Sequence, residues 1–505
     1  MTDIDETADL LVIGSGIMGA VVARLVRAAD PGARIVMVDG GPPIGATPGL
    51  HLHDVAEPEI WELYNERVSS GVQGFYTGAL PVPSRATDAR TLEPGMHLLG
   101  TLGERAGAMP IAAAAWNVGG MGAHWTAATP WPAAGETFDF GDPGAWERDL
   151  AAAQAALGVV SAALGPTVPG RAVLAALAAR YRGVAPVARD PQPMPMAVTP
   201  AGGRLLRNGP STIFPPIGGA PDPAFALHAG TLAVQLVHDD GRVDGAVVRD
   251  VRTGGRRVVR AQRTVVCADA FRTPQLLFAS GIRPPALGRY LNEHAFLTGR
   301  VLLDLDRFGL RREDLPLAEE GEFATDSLWL PQNGPAQPFH GQIMDATYVD
   351  EDGAPLAHAV GLSLYTPVES RPDNRVRFSE DETDLVGMPL FEIDFSYSPA
   401  DLALIERARE EMRALALTFG AFDPETESAL LPPGSSLHQT GTVRAGLADD
   451  GTSVCDPDGR VWGFENLFLA GNGVVPTPVV ANATLTGAVT AVRAARALVR
   501  ETARV

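Results

Sequence analysis

The sequence contains no lysine, since all forty of its Lys and Arg residues are arginines. A lysine forms the Schiff base in pyridoxal phosphate enzymes, and another contacts the phosphates in a P-loop. The sequence therefore excludes both kinds of site.

Cysteine is almost as scarce, because Cys267 and Cys455 are the only two. They are too few for a disulfide scaffold, and their wide spacing does not fit a zinc site. We therefore expect no bound metal and a reducing, cytoplasmic compartment.

Long hydrophobic runs are missing as well. No stretch approaches the ~20 apolar residues of a membrane helix, and the acidic start Met1–Glu6 lacks the basic region of a secretory signal. The formal net charge of −20 repels nucleic acid and anionic membrane. We expect a soluble globular protein with neither of these partners, and the length of 505 residues predicts roughly three domains.

A βαβ pattern is present near the N-terminus. Ala8–Ile13 is a continuous apolar run typical of a buried strand, and Met18–Ala29 has apolar residues at helical spacing. Arg34–Val38 predicts a second strand. Two parallel strands joined by a helix form the unit that binds dinucleotides in many α/β proteins.

The link between the first strand and the helix is rich in glycine. Gly14, Gly16 and Gly19 are spaced as in loops that let a pyrophosphate approach a helix N-terminus. Asp39 ends the second strand, where a carboxylate accepts from ribose hydroxyls. The pattern predicts a dinucleotide site, with a Gly-rich turn that binds nothing as the alternative. It does not distinguish FAD from NAD.

Further elements follow from periodicity and turn signals. The predicted strands are His228–His238 and Val243–Val251, joined by an Asp-Gly hairpin turn, then Arg257–Val266 and several strands within 296–400. The predicted helices are the Ala-rich segment 145–183, Thr273–Ala279, Asp401–Phe419 and about Thr484–Arg500. The strands within 296–400 predict the sheet of a substrate domain.

A second Gly-rich turn, Asn117–Thr126, carries His124, Trp125 and Thr126. Small residues before His124 let a flat ring approach the backbone. Two interpretations of His124 stay open: a hydrogen-bonded histidine in a packed turn, or a flavin contact that includes covalent attachment through the imidazole. Thr126 is either a hydrogen-bond partner of a ring nitrogen or a simple turn hydroxyl.

His438 and Asn482 are the candidate catalytic pair. Oxidation of a secondary alcohol needs a base that takes the hydroxyl proton while hydride leaves the same carbon, and histidine suits this role. A carboxamide orients the substrate oxygen without competing for the proton. The alternative for Asn482 is an N-cap of the last helix, which is compatible with a catalytic role.

Together these segments resemble the glucose-methanol-choline (GMC) oxidoreductase family, and within it the pyranose oxidases and bacterial glycoside 3-oxidases. The resemblance spans nearly the whole chain, and its strongest segments are residues 10–40, 116–130, 264–294 and 436–495. It implies a mixed α/β fold, with a Rossmann-like FAD-binding domain and a substrate-binding domain built on an antiparallel sheet.

The implied domains are interleaved along the chain. The FAD-binding domain comprises residues 1–130, 205–295 and 436–505, and the substrate-binding domain comprises residues 131–204 and 296–435.

The resemblance also implies roles for individual residues. His438 matches the family's base and Asn482 its hydrogen-bonding partner. The implied FAD contacts are Gly14, Gly16, Gly19, Asp39, Gly120, Met121, His124, Trp125, Thr126, Ala470, Gly471, Asn472, Asn482 and Thr484. The implied substrate contacts are Gln342, Asp345, His438 and Asn482. Gly122 and Ala123 stand where pyranose oxidases often have Ser-Thr before the histidine.

The resemblance implies FAD-dependent oxidation of a secondary hydroxyl, at C2 or C3, of a pyranose or glycoside, including a C-glycoside, to a keto sugar. Oxygen or a quinone would accept the electrons, and the short chain favours a monomer. The alternatives are a GMC enzyme for a non-sugar alcohol, an NAD-linked dehydrogenase, and a non-catalytic flavin-binding scaffold.

Overall fold

The computed structural model describes residues 4–60, 86–184, 189–201, 204–318 and 324–502. Helices and strands are mixed along the chain, which confirms the predicted α/β class. The strands are β1 (Ile4–Ile13), β2 (Ile35–Val38), β3 (Gly95–Leu98), β4 (Ala113–Trp116), β5 (Val159–Val160), β6 (Gln192–Pro193), β7 (Met196–Ala201), β8 (Arg204–Arg207), β9 (Phe225–His228), β10 (Thr231–Asp239), β11 (Arg242–Asp250), β12 (Arg256–Val266), β13 (Ala295–Leu302), β14 (Asp326–Leu330), β15 (His340–Val349), β16 (Pro355–Thr366), β17 (Arg375–Thr383), β18 (Pro389–Asp394), β19 (Ser428–Leu430) and β20 (Leu467–Leu469).

The helices are α1 (Ile17–Ala29), α2 (Ala145–Leu157), α3 (Val168–Arg180), α4 (Pro210–Ile213), α5 (Asp269–Ala279), α6 (Pro399–Phe419), α7 (Pro424–Glu427) and α8 (Ala483–Thr502). None of the helices in the described part of the chain has the length and apolar character needed to cross a membrane.

The first large sheet is parallel at its centre, in the order β20-β12-β1-β2-β9. β1 lies in the middle, and Leu10–Ile13 pairs with β2 on one side and with β12 on the other. These residues are buried, as expected for a parallel strand covered on both faces. The predicted βαβ unit is therefore confirmed, with α1 as its helix.

The antiparallel hairpin β10–β11 extends this sheet along the first half of β12. Its turn contains Asp240 and Gly241, with φ angles of 43° and 78°, as the Asp-Gly signal predicts. The predicted single strand His228–His238 is wrong, because Gly230 has a φ of 60° and separates β9 from β10.

The second large sheet is antiparallel, in the order β19-β13-β16-β15-β14-β6, and most of it lies in the predicted region 296–400. One face is apolar and packs on α3 and α6. α6 begins after Ser398, whose hydroxyl accepts from the Asp401 N–H while the Asp401 carboxylate accepts from the Ser398 N–H. The opposite face carries His340 and Gln342, which are two residues apart on β15.

Helix α2 does not pack with the domain to which the resemblance assigns it. Residues 131–204 are implied to belong to the substrate domain, but α2 packs on α8 and α1 beside the parallel sheet. Asp149 of α2 accepts from Arg493 and Arg496 of α8, at 2.7 Å each. Because Asp149 and Arg493 are buried, this charge pairing fixes α2 to the nucleotide-binding side.

The hairpin β17–β18 also departs from that division, although it lies within 296–435. Its Phe391 stacks on Phe271 of α5, with ring centroids 5.8 Å apart. Arg272 of α5 donates to Asp384, in the turn of the hairpin, at 2.8 Å. These contacts attach the hairpin to the side of the parallel sheet, because the apolar residues that it packs against belong to α5.

Candidate functional site

A cavity lies at the carboxyl ends of β1, β2, β12 and β20, where open α/β sheets bind ligands. Residues from both ends and from the middle of the chain line it. The predicted cofactor contacts among them are Gly14, Gly16, Asp39, Gly120, Met121, Trp125, Ala470, Gly471, Asn472 and Thr484. The fold therefore gathers most of the predicted contacts around one cavity.

Two glycines shape the turn between β1 and α1, beside this cavity. Gly14 has a φ of 104°, and a Cβ there would lie 2.5 Å from the Cys267 carbonyl oxygen. A Cβ at Gly19 would lie 2.1 Å from the Gly14 carbonyl oxygen, so Gly19 lets α1 pack on the turn rather than line the cavity. Gly16 and Ile17, at the start of α1, do line it, so the positive end of the helix dipole is available to an anion.

Ser15 contacts both Asp39 and the second Gly-rich turn, and the glycine spacing does not identify this role. Its N–H and hydroxyl donate to Asp39 Oδ2 at 2.9 and 2.6 Å, and its hydroxyl accepts from the Gly119 N–H at 2.9 Å. Burial raises the pKa of Asp39, against the opposite effect of the Ser15 and Gly41 hydrogen bonds. Ser15 thus joins the first Gly-rich loop, the predicted ribose carboxylate and the second Gly-rich turn.

His124 lies outside the described lining of the cavity, as does Thr126. His124 Nε2 contacts Asn117 Oδ1 at 2.9 Å, and an amide oxygen can only accept, so Nε2 carries the proton. Burial lowers the pKa of His124 to about 4. These contacts agree with the packed-turn interpretation, and attachment of His124 to a flavin stays a prediction.

The lining fits a dinucleotide. Trp125 Nε1 and Asn472 Oδ1 are buried without a hydrogen-bond partner among the described residues, although both residues line the cavity. Buried polar atoms normally have partners, so a polar ligand would satisfy them. Together with the start of α1 and the Asp39 carboxylate, they form a donor and acceptor set suited to a dinucleotide cofactor.

His438 and Asn482 lie next to this cavity and contact each other. Their sequence neighbours Leu437, Gln439 and Thr484 line it. Asn482 Nδ2 is 3.3 Å from His438 Nε2. The fold therefore brings the predicted catalytic pair together, with Asn482 directly before α8.

His340, on β15, extends the pair on the Asn482 side. His340 Nε2 lies 3.1 Å from Asn482 Oδ1, and Trp329 Nε1 donates to His340 Nδ1 at 3.0 Å. An indole N–H can only donate, so His340 accepts at Nδ1 and carries its proton on Nε2. The His340 Nε2–H therefore donates to Asn482 Oδ1. Because the oxygen of the carboxamide faces His340, its NH2 group faces His438.

His294 extends the pair on the other side. His438 Nδ1 lies 2.8 Å from His294 Nε2, and His294 Nδ1 lies 3.1 Å from the Val479 carbonyl oxygen. A carbonyl oxygen can only accept, so a neutral His294 carries its proton on Nδ1 and accepts from the His438 Nδ1–H. The chain of hydrogen bonds is fixed at both ends, and it leaves the lone pair of His438 on Nε2.

Desolvation keeps all three histidines neutral. Burial lowers the pKa of His294 to about 4 and that of His340 to about 3. The pKa of His438 lies well below its usual range, first because of desolvation and then because of the neighbouring His294 and His340 rings. Neutral His438 can therefore accept a proton at Nε2 throughout the physiological pH range.

Glu293 holds the loop that carries His438. Its carboxylate accepts from Ser436 Oγ at 2.6 Å and from Gln439 Nε2 at 2.7 Å, and also from the Gly434 N–H. Burial raises the pKa of Glu293 to about 7. The loop geometry around His438 thus depends on a buried carboxyl group.

Glu136 likewise holds the backbone of the segment before Asn482 in place. Its Oε1 accepts from the N–H groups of Val480 and Ala481, at 2.7 and 3.0 Å. Sequence reasoning missed Glu136 because an isolated glutamate in a loop carries no signal of burial.

The structure separates the two predicted sugar contacts on β15. Gln342 is two residues from His340 and shares its face, whereas Asp345 is three residues from Gln342 and lies on the opposite face. Asp345 pairs with Asp326 of β14, on the side covered by α3 and α6. The fold therefore does not bring Asp345 together with His438, and the reason is strand alternation.

His294 and His340 carry no predicted role, although His294 lies in a segment that supports the family resemblance. Strand parity could have found His340, because it shares the face of Gln342. His294 gives no such signal, since only the folded chain brings it to His438.

We expect each buried histidine to contribute a loss of stability as the pH falls. Unfolded histidine titrates near pH 6.5, whereas the pKa values of His294 and His340 are about 4 and about 3. Below pH 6.5 the unfolded chain binds more protons, so the free energy of unfolding falls by about 1.4 kcal/mol per pH unit for each histidine. Urea unfolding between pH 7.5 and 4.5 measures this slope. The His294→Gln variant should have a shallower slope, and an unchanged slope would contradict the assignment.

Comparison with known proteins gives matches along the chain. Models described as GMC oxidoreductase match residues 225–296 and 370–491. The chain is 38% identical to a C-glycoside 3-oxidase of Microbacterium trichothecenolyticum, over 98% of this chain and 96% of that protein. It is 37% identical to a C-glycoside 3-oxidase of Arthrobacter globiformis, over 98% and 95% of the two chains. A pyranose 2-oxidase of Emericella nidulans is 27% identical, over 98% and 93%.

Solved structures agree with the fold. The formate oxidase of Aspergillus oryzae superposes with a TM-score of 0.68 at 14% identity, and 99% of each chain is covered. The pyridoxine 4-oxidase of Mesorbium loti gives a TM-score of 0.63 at 16% identity, again with 99% of each chain covered. At these identities the likeness concerns the fold alone.

Proposed function

Because the chain belongs to the GMC oxidoreductase family of flavin-dependent enzymes, we propose that it binds FAD and oxidises a secondary hydroxyl of a pyranosyl glycoside to a ketone. His438 is the proposed base, and Asn482 is its partner in orienting the hydroxyl.

The observation that carries this proposal is the lone pair of His438 beside the Asn482 NH2 group, 3.3 Å away and next to the cavity. A hydroxyl that lies within reach of both atoms would donate to Nε2 and accept from Nδ2. The same two atoms therefore orient the C–O bond and take up the proton. Bound FAD supplies the hydride acceptor.

The hydrogen-bond chain also suits the protonated state of His438. When Nε2 takes the proton, the Nδ1–H still donates to His294 Nε2, 2.8 Å away. His294 keeps its own proton on Nδ1, so no rearrangement of the chain is required.

The proposed substrate follows from the relatives. Two of them are named for oxidising C-glycosides at position 3, so we infer the 3-hydroxyl of a glycoside, with 2-oxidation of a free pyranose as the second choice. Gln342 is the proposed sugar contact, because it is on the same sheet face as His340. Asp345 is not included.

Anaerobic mixing of the purified protein with glycosides tests the function. We expect C-glycosides and O-glycosides of glucose to bleach the flavin absorbance near 450 nm, and NMR of the product to show a ketone at C3. Bleaching by simple alcohols alone would contradict a sugar substrate. Admission of oxygen or of benzoquinone to the reduced protein would then show which acceptor restores the colour faster.

We expect His340 to act as a positioning residue for Asn482. The His340→Phe variant keeps an aromatic ring but loses the Nε2–H donor, so the carboxamide can rotate away from His438. The loss of one buried hydrogen bond is worth about 1.4 kcal/mol, or roughly tenfold in the rate of flavin reduction. The His340→Gln variant retains an N–H donor and should recover much of the rate. Equal rates in His340→Phe and the wild type would contradict this role.

A further inference from the structure

A cluster of three buried polar side chains lies on the face of the second sheet turned away from His340. Asp326, Asp345 and His358 come from the adjacent strands β14, β15 and β16. Asp326 pairs directly with Asp345, and His358 pairs with Thr347, two residues further along β15. One possible ligand atom from each residue lies within 4.8 Å of those from the other two. The register of the three strands therefore brings two carboxyl groups and one imidazole close together.

The cluster lacks the hydrogen bonds that its burial demands. Asp345 and His358 are fully buried. Neither oxygen of Asp345, nor Nε2 of His358, has a hydrogen-bond partner among the described residues. The two side chains approach no closer than 3.6 Å, from His358 Nε2 to Asp345 Oδ2, which is too long for a hydrogen bond. Burial raises the pKa of Asp345 to about 6, against the opposite effect of the neighbouring His358.

The spacing suits an ion that bridges these atoms. Two ligands of a divalent transition metal, each about 2.1 Å from it, are separated by about 3 to 4.2 Å in tetrahedral or octahedral geometry. The 3.6 Å between Nε2 and Oδ2 falls in this range. Two carboxylates carry two negative charges, which a divalent cation would neutralise.

Neighbouring side chains hold the three groups as the outer ligands of metal sites do. His358 Nδ1 lies 3.1 Å from Thr347 Oγ1; donation from Nδ1 to that oxygen leaves the lone pair on Nε2, facing Asp345. Asp326 accepts from the N–H and hydroxyl of Thr167, both at 2.6 Å, and from the hydroxyl of Thr325 at 3.2 Å.

We propose that Asp326, Asp345 and His358 bind one divalent transition metal ion, either Mn²⁺ or Zn²⁺. An imidazole together with carboxylates favours these ions over Ca²⁺ and Mg²⁺, which prefer oxygen ligands alone. This proposal departs from the expectation of no bound metal. That expectation came from the cysteine count, which carries no information about a site of His and Asp. The ion would cross-link three strands and have a structural role, so the inference does not depend on the proposed function.

Metal analysis of the full chain, after removal of loosely bound ions on a desalting column, is the first test. We expect about one equivalent of Mn²⁺ or Zn²⁺ per chain after incubation with either ion. Asp345→Asn and His358→Gln should each lose most of this metal. The matched control is Glu351→Gln, an exposed residue in the β15–β16 turn, which should retain it.

Thermal unfolding of the wild type keeps the inference testable even if the variants fail to fold. We expect the melting temperature to rise when Mn²⁺ or Zn²⁺ is added to protein treated with a chelator, and not to rise with Mg²⁺ or Ca²⁺. Flavin reduction by substrate should be measured in parallel. The metal-binding result does not depend on it, so failure of the proposed function can be told apart from failure of the metal site. A wild type that holds no tightly bound metal and gains no stability from either ion would overturn the proposal. In that case Asp345 is protonated or is simply paired with His358.

Discussion

Replacing His438 with alanine is expected to slow reduction of the flavin by glycoside by about 10²- to 10⁴-fold, the range expected for removal of a general base. His438 is the proposed acceptor of the substrate proton, and its lone pair is held on Nε2 by the hydrogen bond from Nδ1 to His294. Stopped-flow absorbance at 450 nm under anaerobic conditions measures the reductive step directly. The variant should still bind flavin, because His438 is not among the described residues that line the cavity.

The matched control for this prediction is His228→Ala. His228 lies on β9 and contacts Glu6 Oε2 at 2.6 Å, so it belongs to the sheet and not to the histidine chain. It should keep the wild-type rate. A His438→Ala variant that is reduced as fast as the wild type would remove the proposed mechanism. Loss of rate in both variants would point to damage to the fold.

Replacing Gly14 with alanine is expected to abolish flavin binding, with at least a tenfold fall in flavin per chain. The φ of 104° at this position is unfavourable for any residue with a Cβ. In addition, the new Cβ would lie 2.5 Å from the Cys267 carbonyl oxygen, so the turn before α1 or the end of β12 must shift. Either movement displaces backbone that lines the cavity. The ratio of absorbance at 450 nm to that at 280 nm measures the loss.

Gly107→Ala is the matched control, because a Cβ at Gly107 meets no atom within 4 Å and its φ is not left-handed. It should retain full flavin. Circular dichroism of both variants separates loss of cofactor from loss of fold. A Gly14→Ala protein that is folded and fully yellow would show that the first Gly-rich loop does not contact the cofactor.

The sequence was sufficient wherever the signal was local. The apolar run before Gly14 is a buried strand, and the Asp-Gly pair after β10 is a hairpin turn. Both depend on short-range backbone preferences and on apolar periodicity, which neighbouring residues reveal. Gly230 shows the limit of this reasoning. The apolar alternation continues past it, but its positive φ divides the predicted strand into two.

The domain division was less predictable because it depends on which surfaces bury each other. α2 and the hairpin β17–β18 lie in segments implied to form the substrate domain, yet they pack beside the parallel sheet. The buried Asp149–Arg493 contact and the Phe391–Phe271 stack decide these positions. In each contact the partners are more than a hundred residues apart, so no sequence window contains both.

The sequence by itself determined the Gly-rich loop, the choice of His438 and Asn482, and the family, because each of these follows from residue types in a fixed order. Only the tertiary structure decided that His294 and His340 flank the proposed catalytic pair, and that Asp345 lies on the opposite face of the sheet from His340. The physical reason is that a hydrogen bond depends on distance and direction in space. Strand register and chain folding set both, and single positions in a sequence specify neither.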